Sequence, residues 1–220
     1  MGEVWRAADR FRGGDPAAGI ETFHAFSFGS FYEPDNLRFG ALIACNEERL
    51  ALGAGFAEHP HRDTEIVTWV VEGELTHRDS TGTTTLLRAG DLQRLSAAGG
   101  VRHTERNDGD QPLVFVQMWL EPVVRPGGEP EYEVVRGLGD GTPYEVDRAG
   151  AVLHARRLRA GARSALPTAP SSYLHLVRGT ALLDGETLHP GDAARLSGGR
   201  RREVVAEEDS ELLVWELGEE

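Results

Sequence analysis

Ala89-Gly90-Asp91-Leu92-Gln93-Arg94-Leu95-Ser96 recurs as Pro190-Gly191-Asp192-Ala193-Ala194-Arg195-Leu196-Ser197, about 100 residues further on, and repetition at a fixed interval marks a duplicated architecture. Upstream, Val71-Glu72-Gly73-Glu74-Leu75 has a counterpart in Val177-Arg178-Gly179-Thr180-Ala181. Downstream, the apolar run 114–120 resembles 212–217, each with one tryptophan, Trp119 and Trp215. Within each copy the local signals are those of strands and tight turns. Ile66-Val67-Thr68-Trp69-Val70-Val71 is β-branched and aromatic and stops at Glu72-Gly73-Glu74, as a strand running into a turn should. Asp79-Ser80-Thr81-Gly82 predicts a hairpin turn into a strand over 83–88, and Asp184-Gly185 predicts a tighter one in the second copy. The expected fold is all-β: two jelly-roll β-barrels in tandem, each with a mouth between its sheets.

Composition agrees with this reading. The chain has 220 residues, 27 of them glycine and 11 proline, which suits short strands joined by many turns. Its net charge of −13 argues against a basic surface for nucleic acid. All 23 basic residues are arginine, and the densest run, Arg200-Arg201-Arg202, is followed at once by acidic residues, predicting a solvated turn. One cysteine, Cys45, leaves no partner for an internal disulfide and fits a reducing compartment. It lies in the apolar run 41–45 and is expected to be a buried thiol. The first residues lack the basic and apolar regions of a signal peptide. No apolar stretch reaches the roughly 18 residues of a membrane span, so a cytoplasmic protein without membrane contact is expected. Glu121-Pro122 and Arg125-Pro126-Gly127-Gly128-Glu129-Pro130 read as a linker. The expected division is 1–125, a linker over 126–146, and 147–220.

The chemistry concentrates in His59-Pro60-His61 and His103-Thr104-Glu105. On an extended strand residues i and i+2 share a face, so each motif can aim two donors at one point. Three imidazoles and a carboxylate suit a divalent first-row transition metal, and open positions on such a centre permit oxygen chemistry. Glu65 competes with Glu105 as the carboxylate: it lies four residues from His61, and spacing does not choose between them. The repeat supplies an internal control. Aligning Gly90 with Gly191 sets Val204 opposite His103 and Ala206 opposite Glu105; counting back from Gly179 as from Gly73 sets Ala165 opposite His59 and Pro167 opposite His61. The second copy keeps the scaffold glycines and none of the four donors, so the constellation is separable from folding.

Other residues carry weaker signals. Phe56, three residues before His59, could line the mouth and accept a flat aromatic molecule. Gln117 interrupts an apolar strand and could turn its amide toward the cavity, whereas Trp119 is expected in the core. His77, beside Arg78 and Asp79 near a turn, is expected to be solvated. His24, His154, His175 and His189 have no paired partner and are assigned no metal. No phosphate loop, Ser-His-Asp arrangement or cysteine cluster occurs in the sequence.

These motifs resemble the cupin superfamily and, within it, the pirin family. Gly53, His59-Pro60-His61, Glu65 and Gly73 are similar to the first cupin motif. Gly90-Asp91-Leu92, Ala98-Gly99-Gly100 and His103-Thr104-Glu105 are similar to the second. The segments 59–65, 96–105 and 39–47 look pirin-like, of the shorter bacterial, quercetin 2,3-dioxygenase-like type. The likeness is dense over residues 20–121; beyond that only the bicupin layout carries over. It implies an N-terminal cupin holding one metal through His59, His61, His103 and Glu105, with Glu65 a hydrogen-bonding neighbour, and a C-terminal cupin without ligands. The implied metal is iron(II), with nickel, cobalt, copper, manganese and zinc equally compatible with the donors.

The implied activity is that of a dioxygenase of quercetinase type, opening the ring of a flavonol or similar aromatic with O2. Glu105 would be its catalytic base, through a second, free oxygen. The alternative is a redox-responsive pirin acting as a transcriptional cofactor through a protein partner, without turnover. A monomer is expected.

Overall fold

A computed structural model describes residues 2–124 and 127–218. Among the described residues the elements are strands joined by turns and three single-turn 3-10 helices, and no α-helix occurs. It divides into two compact units. The first comprises Phe11–Arg38 and Leu42–Leu138; the second comprises Met1–Arg10, Phe39–Ala41 and Gly139–Glu220.

The first unit has two antiparallel sheets. One runs in the order Glu131–Val135, Leu92–Ser96, Glu65–Glu72, Leu113–Leu120, Leu42–Leu50, Ile20–His24, Phe11–Asp15. The other has the order Gly55–His61, Val101–Arg106, Glu74–Asp79, Thr84–Arg88. The second unit repeats this plan. Its larger sheet runs Glu3–Trp5, Ala193–Ser197, Ser171–Arg178, Ser210–Leu217, Ala151–Leu158, Pro143–Val146, and its smaller one Arg163–Ala165, Glu203–Ala206, Ala181–Leu183, Glu186–Leu188. The chain is therefore all-β with two cupin-type barrels.

The repeated residues do the same work in both units. Gly73 and Gly179 have φ of 77° and 78°. A Cβ on Gly73 would collide with the Pro112 carbonyl oxygen, and one on Gly179 with that of Asp209. Left-handed backbone and close approach together demand glycine. Asp91 accepts from Arg88 N at 2.9 Å and also holds Arg136 Nη1 at 2.7 Å and Gly137 N at 2.9 Å. Asp192 accepts from His189 N at 3.1 Å and holds Arg6 Nη1 at 3.0 Å and Ala7 N at 2.7 Å. Each aspartate thus closes its own turn and anchors the end of an edge strand. That strand is Glu131–Val135 on Leu92–Ser96 in the first unit and Glu3–Trp5 on Ala193–Ser197 in the second.

This pairing departs from the division expected of the sequence. The boundary at 125/126 falls outside the described residues. Residues 131–135, expected within a linker, complete the first unit's sheet. The first ten residues, expected in the N-terminal domain, belong with the second unit. The physical reason is that an edge strand is recruited by cross-strand hydrogen bonds and an aspartate anchor, and these are non-local.

Inside the first unit, side chains lie in layers because alternate strand residues face inward. Ile66, Leu95, Ala97 and Val101 form one apolar cluster. Ile20, Leu50, Val70, Leu75, Leu87, Leu113 and Phe115 belong to another. Two residues along the same strands, a polar row crosses the larger sheet: Gln93 pairs with Thr68, Thr68 with Gln117, Gln117 with Asn46, and Asn46 with His24.

Candidate metal centre

The smaller sheet of the first unit carries the four sequence-predicted donors. Gly55–His61 is its edge strand, so Pro60 costs no ladder hydrogen bond there. Pro60 is exposed while His59 is half-buried and His61 buried. On the next strand His103 and Glu105 are buried and the intervening Thr104 is half-buried. His103 pairs with His59 across the two strands. A bulge between 103 and 105 sets Glu105 opposite Phe56, and bulges re-aim side chains in this way. Asp63 and Ala98, at φ of 52° and 41°, brace the turns beside the site through Asp63 N–H donating to Ala98 O at 3.0 Å.

The three imidazoles converge. Their ring centroids are 4.5–4.8 Å apart, and one nitrogen from each lies within 4.8 Å of the others. His59 Nδ1 lies 2.8 Å from the Ala57 carbonyl, to which its N–H donates, and this leaves Nε2 bare. That Nε2 sits 3.0 Å from His103 Nε2. Metal–nitrogen bonds of about 2.0–2.1 Å at right angles bring two donors about 3 Å apart. His61 Nε2 is buried with no hydrogen-bond partner, so its lone pair is open to a cation placed between the rings. Burial, and the neighbouring histidines, push His61 and His103 down to about 3, so both are neutral near pH 7 and each has a lone pair to offer. The donor set therefore fits a first-row divalent metal.

Glu105 belongs to a second convergent group with His77 and His103, all three buried. Its Oε1 accepts from Gln93 Nε2 at 2.9 Å and its Oε2 from Gln117 Nε2 at 2.7 Å. The orientation of Gln117 is not arbitrary: Trp119 Nε1, a donor only, reaches Gln117 Oε1 at 3.0 Å and turns the amide N–H2 toward Glu105. Tyr132 Oη, 2.9 Å from Gln93 Oε1, does the same for Gln93. Burial pushes the Tyr132 phenol up to about 12, so it keeps its proton to donate. Neither Glu105 oxygen is free, contrary to the expectation of an unengaged second oxygen; the polar row holds both.

A cavity of about 840 Å³ opens beside these groups, lined by His59, Glu105, Gln117, Phe56, Trp119 and a wall that includes His24 from an outer strand and Phe28 from the segment after it. This volume lies within the roughly 300–1,000 Å³ of small-molecule sites. Phe56 meets His59 edge-on at 6.3 Å. Trp119, expected in the core, packs against the Ile66, Leu95, Ala97 and Val101 cluster and also lines the cavity, edge-on to His61 at 4.8 Å and to Phe28 at 5.0 Å. Glu48 also lines it, 4% exposed. Burial pushes its carboxyl up to about 8, against a hydrogen bond from Thr22 Oγ1 at 2.5 Å.

Other expectations sort clearly. His77, expected to be solvated, is fully buried and stacks on Tyr132 at 4.5 Å. Two neighbouring strands of its sheet cover it, which its own sequence neighbours do not reveal. Glu65 is buried and accepts from Ser96 Oγ at 2.6 Å and Arg94 Nη1 at 3.1 Å; it is in neither convergent group. His24 stacks on Phe28 at 4.9 Å and bonds Asn46 Oδ1 through Nδ1 at 3.0 Å. Cys45 is a buried free thiol, Arg200 and Arg201 are exposed, and Arg202 pairs with Asp184. Among the described residues no helix is long and apolar enough to cross a membrane. Gln93 and Tyr132 were not singled out from sequence. The signal for Gln93 was present, since the repeat sets it opposite Ala194; Tyr132 was hidden in an apparent linker.

Comparison with known proteins matches both halves of the chain. The pirin family profile matches residues 6–120, and a profile described as the quercetinase C-terminal cupin domain matches 148–217. A pirin-like protein of Caulobacter vibrioides is 32% identical over 219 residues, covering 92% of this chain and 94% of its own. Quercetin 2,3-dioxygenase of Escherichia coli is 30% identical over 212 residues, covering 90% and 91%. The crystal structure of the bacterial pirin YhhW from Escherichia coli, in complex with nickel(II), superimposes with a TM-score of 0.91 at 27% identity, covering all of both chains. By sequence profile, by relatives along its whole length and by fold, this chain belongs to the pirin family.

Proposed function

We propose that this chain is a metal-dependent dioxygenase of quercetinase type, acting on a flavonol or a similar hydroxylated aromatic with O2, with His59, His61, His103 and Glu105 as metal ligands and iron(II) as the metal. The observation that carries the reading is the convergence of three imidazoles, one with an unpartnered buried nitrogen, beside an aromatic-lined cavity that His59 reaches. Similarity to a named quercetin 2,3-dioxygenase supports the substrate class.

When bound, the metal supplies a Lewis-acid position that lowers the pKa of a coordinated hydroxyl and a centre at which O2 chemistry can proceed. The protein's own residues do the rest. Phe56 and Trp119 give the cavity apolar walls that receive a flat ring and keep water away. Glu105 takes the hydroxyl proton. One lone pair on each of its oxygens is engaged by Gln93 and Gln117, so the carboxylate is held in place with a second lone pair per oxygen remaining. His61 and His103, held neutral by burial, hold their lone pairs ready without competition from protons.

The test is oxygen uptake with quercetin by protein reconstituted with iron(II), nickel(II) or no metal, alongside His61→Ala. Metal-dependent uptake lost in the variant is expected. Absence of uptake with every metal, or equal uptake in the variant, removes the proposal.

A further inference from the structure

We infer that Asp79 and His77 form a hydrogen-bond relay that places the proton of His103 on Nδ1 and leaves its Nε2 bare as a metal donor; the inference rests on the metal-site reading above. Asp79 sits at the end of Glu74–Asp79 with its side chain fully enclosed. Its Oδ1 is taken by the turn, accepting from Thr81 N at 2.9 Å, Thr81 Oγ1 at 2.6 Å and Thr83 N at 3.2 Å. Its Oδ2 faces His77 Nε2 at 3.1 Å. Burial opposes ionisation of Asp79, but the hydrogen bonds from Thr81, His77 and Thr83 outweigh it and hold the carboxyl below its ordinary range.

A carboxylate has no proton to give, so His77 Nε2 is the donor and His77 Nδ1 the acceptor. That Nδ1 lies 3.5 Å from His103 Nδ1, which therefore carries the proton. The remaining nitrogen, His103 Nε2, then points bare toward His59 Nε2 at 3.0 Å. Orientation of a ligating imidazole through its other nitrogen is a general device of metal sites. Here it runs through a second histidine. His77 is held in place by its stack on Tyr132, and Tyr132 bonds Gln93, the donor to Glu105. One outer layer thus aims both His103 and Glu105.

A rival use of the same atoms exists, since His77, His103 and Glu105 could themselves surround an ion. The two uses differ in what zinc does to His77: as an ion ligand its ring nitrogens would shift on zinc binding, as a relay it only orients His103.

The test reads tautomers directly, by long-range ¹H–¹⁵N correlation on metal-free, histidine-labelled protein, and zinc(II) affinity by competition with a chromophoric chelator. The wild type is expected to show His103 protonated on Nδ1. In Asp79→Asn the turn still claims Oδ1, so the amide nitrogen falls where Oδ2 was and donates to His77 Nε2. The relay reverses, His103 takes its proton on Nε2, and zinc affinity falls by about 10–100-fold. His77→Phe keeps the stack on Tyr132 and removes the relay without imposing the wrong tautomer, so its loss is expected to be smaller.

A merely structural pair would give the opposite order, because His77→Phe disturbs more of the packing; that order overturns the relay. So do a wild-type His103 protonated on Nε2, an unchanged affinity in Asp79→Asn, or a zinc-induced ¹⁵N shift at His77 showing that it is a ligand. If the wild type binds no zinc the metal reading fails, and the tautomers of the metal-free protein still decide the relay.

Discussion

The two units place the same row of residues across the same sheet and fill three of its four positions oppositely. In the first the row is Gln93, Thr68, Gln117 and Asn46. In the second, in register, it is Ala194, Leu174, Val214 and His154. The second unit's interior is accordingly aliphatic, with Leu174, Ala194, Val214, Leu183 and Val204 in one buried cluster. Val204 and Ala206, opposite His103 and Glu105 in the repeat, are 0% exposed. The difference teaches that the backbone plan is indifferent to the row's polarity. An aliphatic row closes into a core. A polar row must be satisfied, and here it is satisfied by cradling one carboxylate beside three histidines.

The comparison can be broken most severely at the ligands. His103→Ala is expected to abolish stoichiometric metal in elemental analysis and to exceed the 10–100-fold loss typical of an outer partner. The metal-free variant should keep or gain thermal stability, since a desolvated imidazole is removed. A full complement of metal in His103→Ala would show that His103 is not a ligand.

Converting the first row toward the second is the next step. Gln93→Ala with Gln117→Val strips Glu105 of both amide donors. Each lost bond should cost about 1–3 kcal/mol of unfolding free energy, read from denaturant midpoints, with metal affinity weakened in parallel. Unchanged stability would mean that Glu105 is held by something else. The reverse exchange, Val214→Gln in the second unit, should create no metal site and lose about 1–3 kcal/mol to an unsatisfied buried amide. A stabilised variant would contradict the account of that core.

Outside the row, the comparison concerns pH. Glu48, raised to about 8 from an ordinary 4.5, stays protonated in the folded protein across that window, while the unfolded chain releases the proton. Its contribution is therefore fully present below pH 4.5 and lost as pH rises through 8. Glu48→Gln should flatten the fall in melting temperature between pH 5 and 9, and parallel profiles for the two proteins would refute a neutral buried Glu48.

Much of this was legible beforehand. The repeat announced two barrels because Gly73 and Gly179, Asp91 and Asp192, meet identical local demands, and local demands leave local marks. The pairing of His59 with His61 and of His103 with Glu105 on shared faces was legible because strand parity is a period of two, whereas the choice of Glu105 over Glu65 came from the family resemblance. Gln117 stood out against its apolar strand. His77, Gln93 and Tyr132 escaped because their roles depend on neighbours across strands, and the pairing of residues 3–5 and 131–135 escaped for the same reason.

The sequence by itself determined which residues share a face of a strand, where the turns fall, and that only one copy keeps metal-type donors. These follow from backbone geometry over a few residues. Tertiary structure decided which faces meet. Cross-strand register set His103 against His59, a bulge shifted Glu105 to Phe56, and layers of strands brought Asp79, His77, Tyr132 and two glutamines around the donors. Register and layering arise from hydrogen bonds and burial between segments far apart in the chain, and no local spacing encodes them.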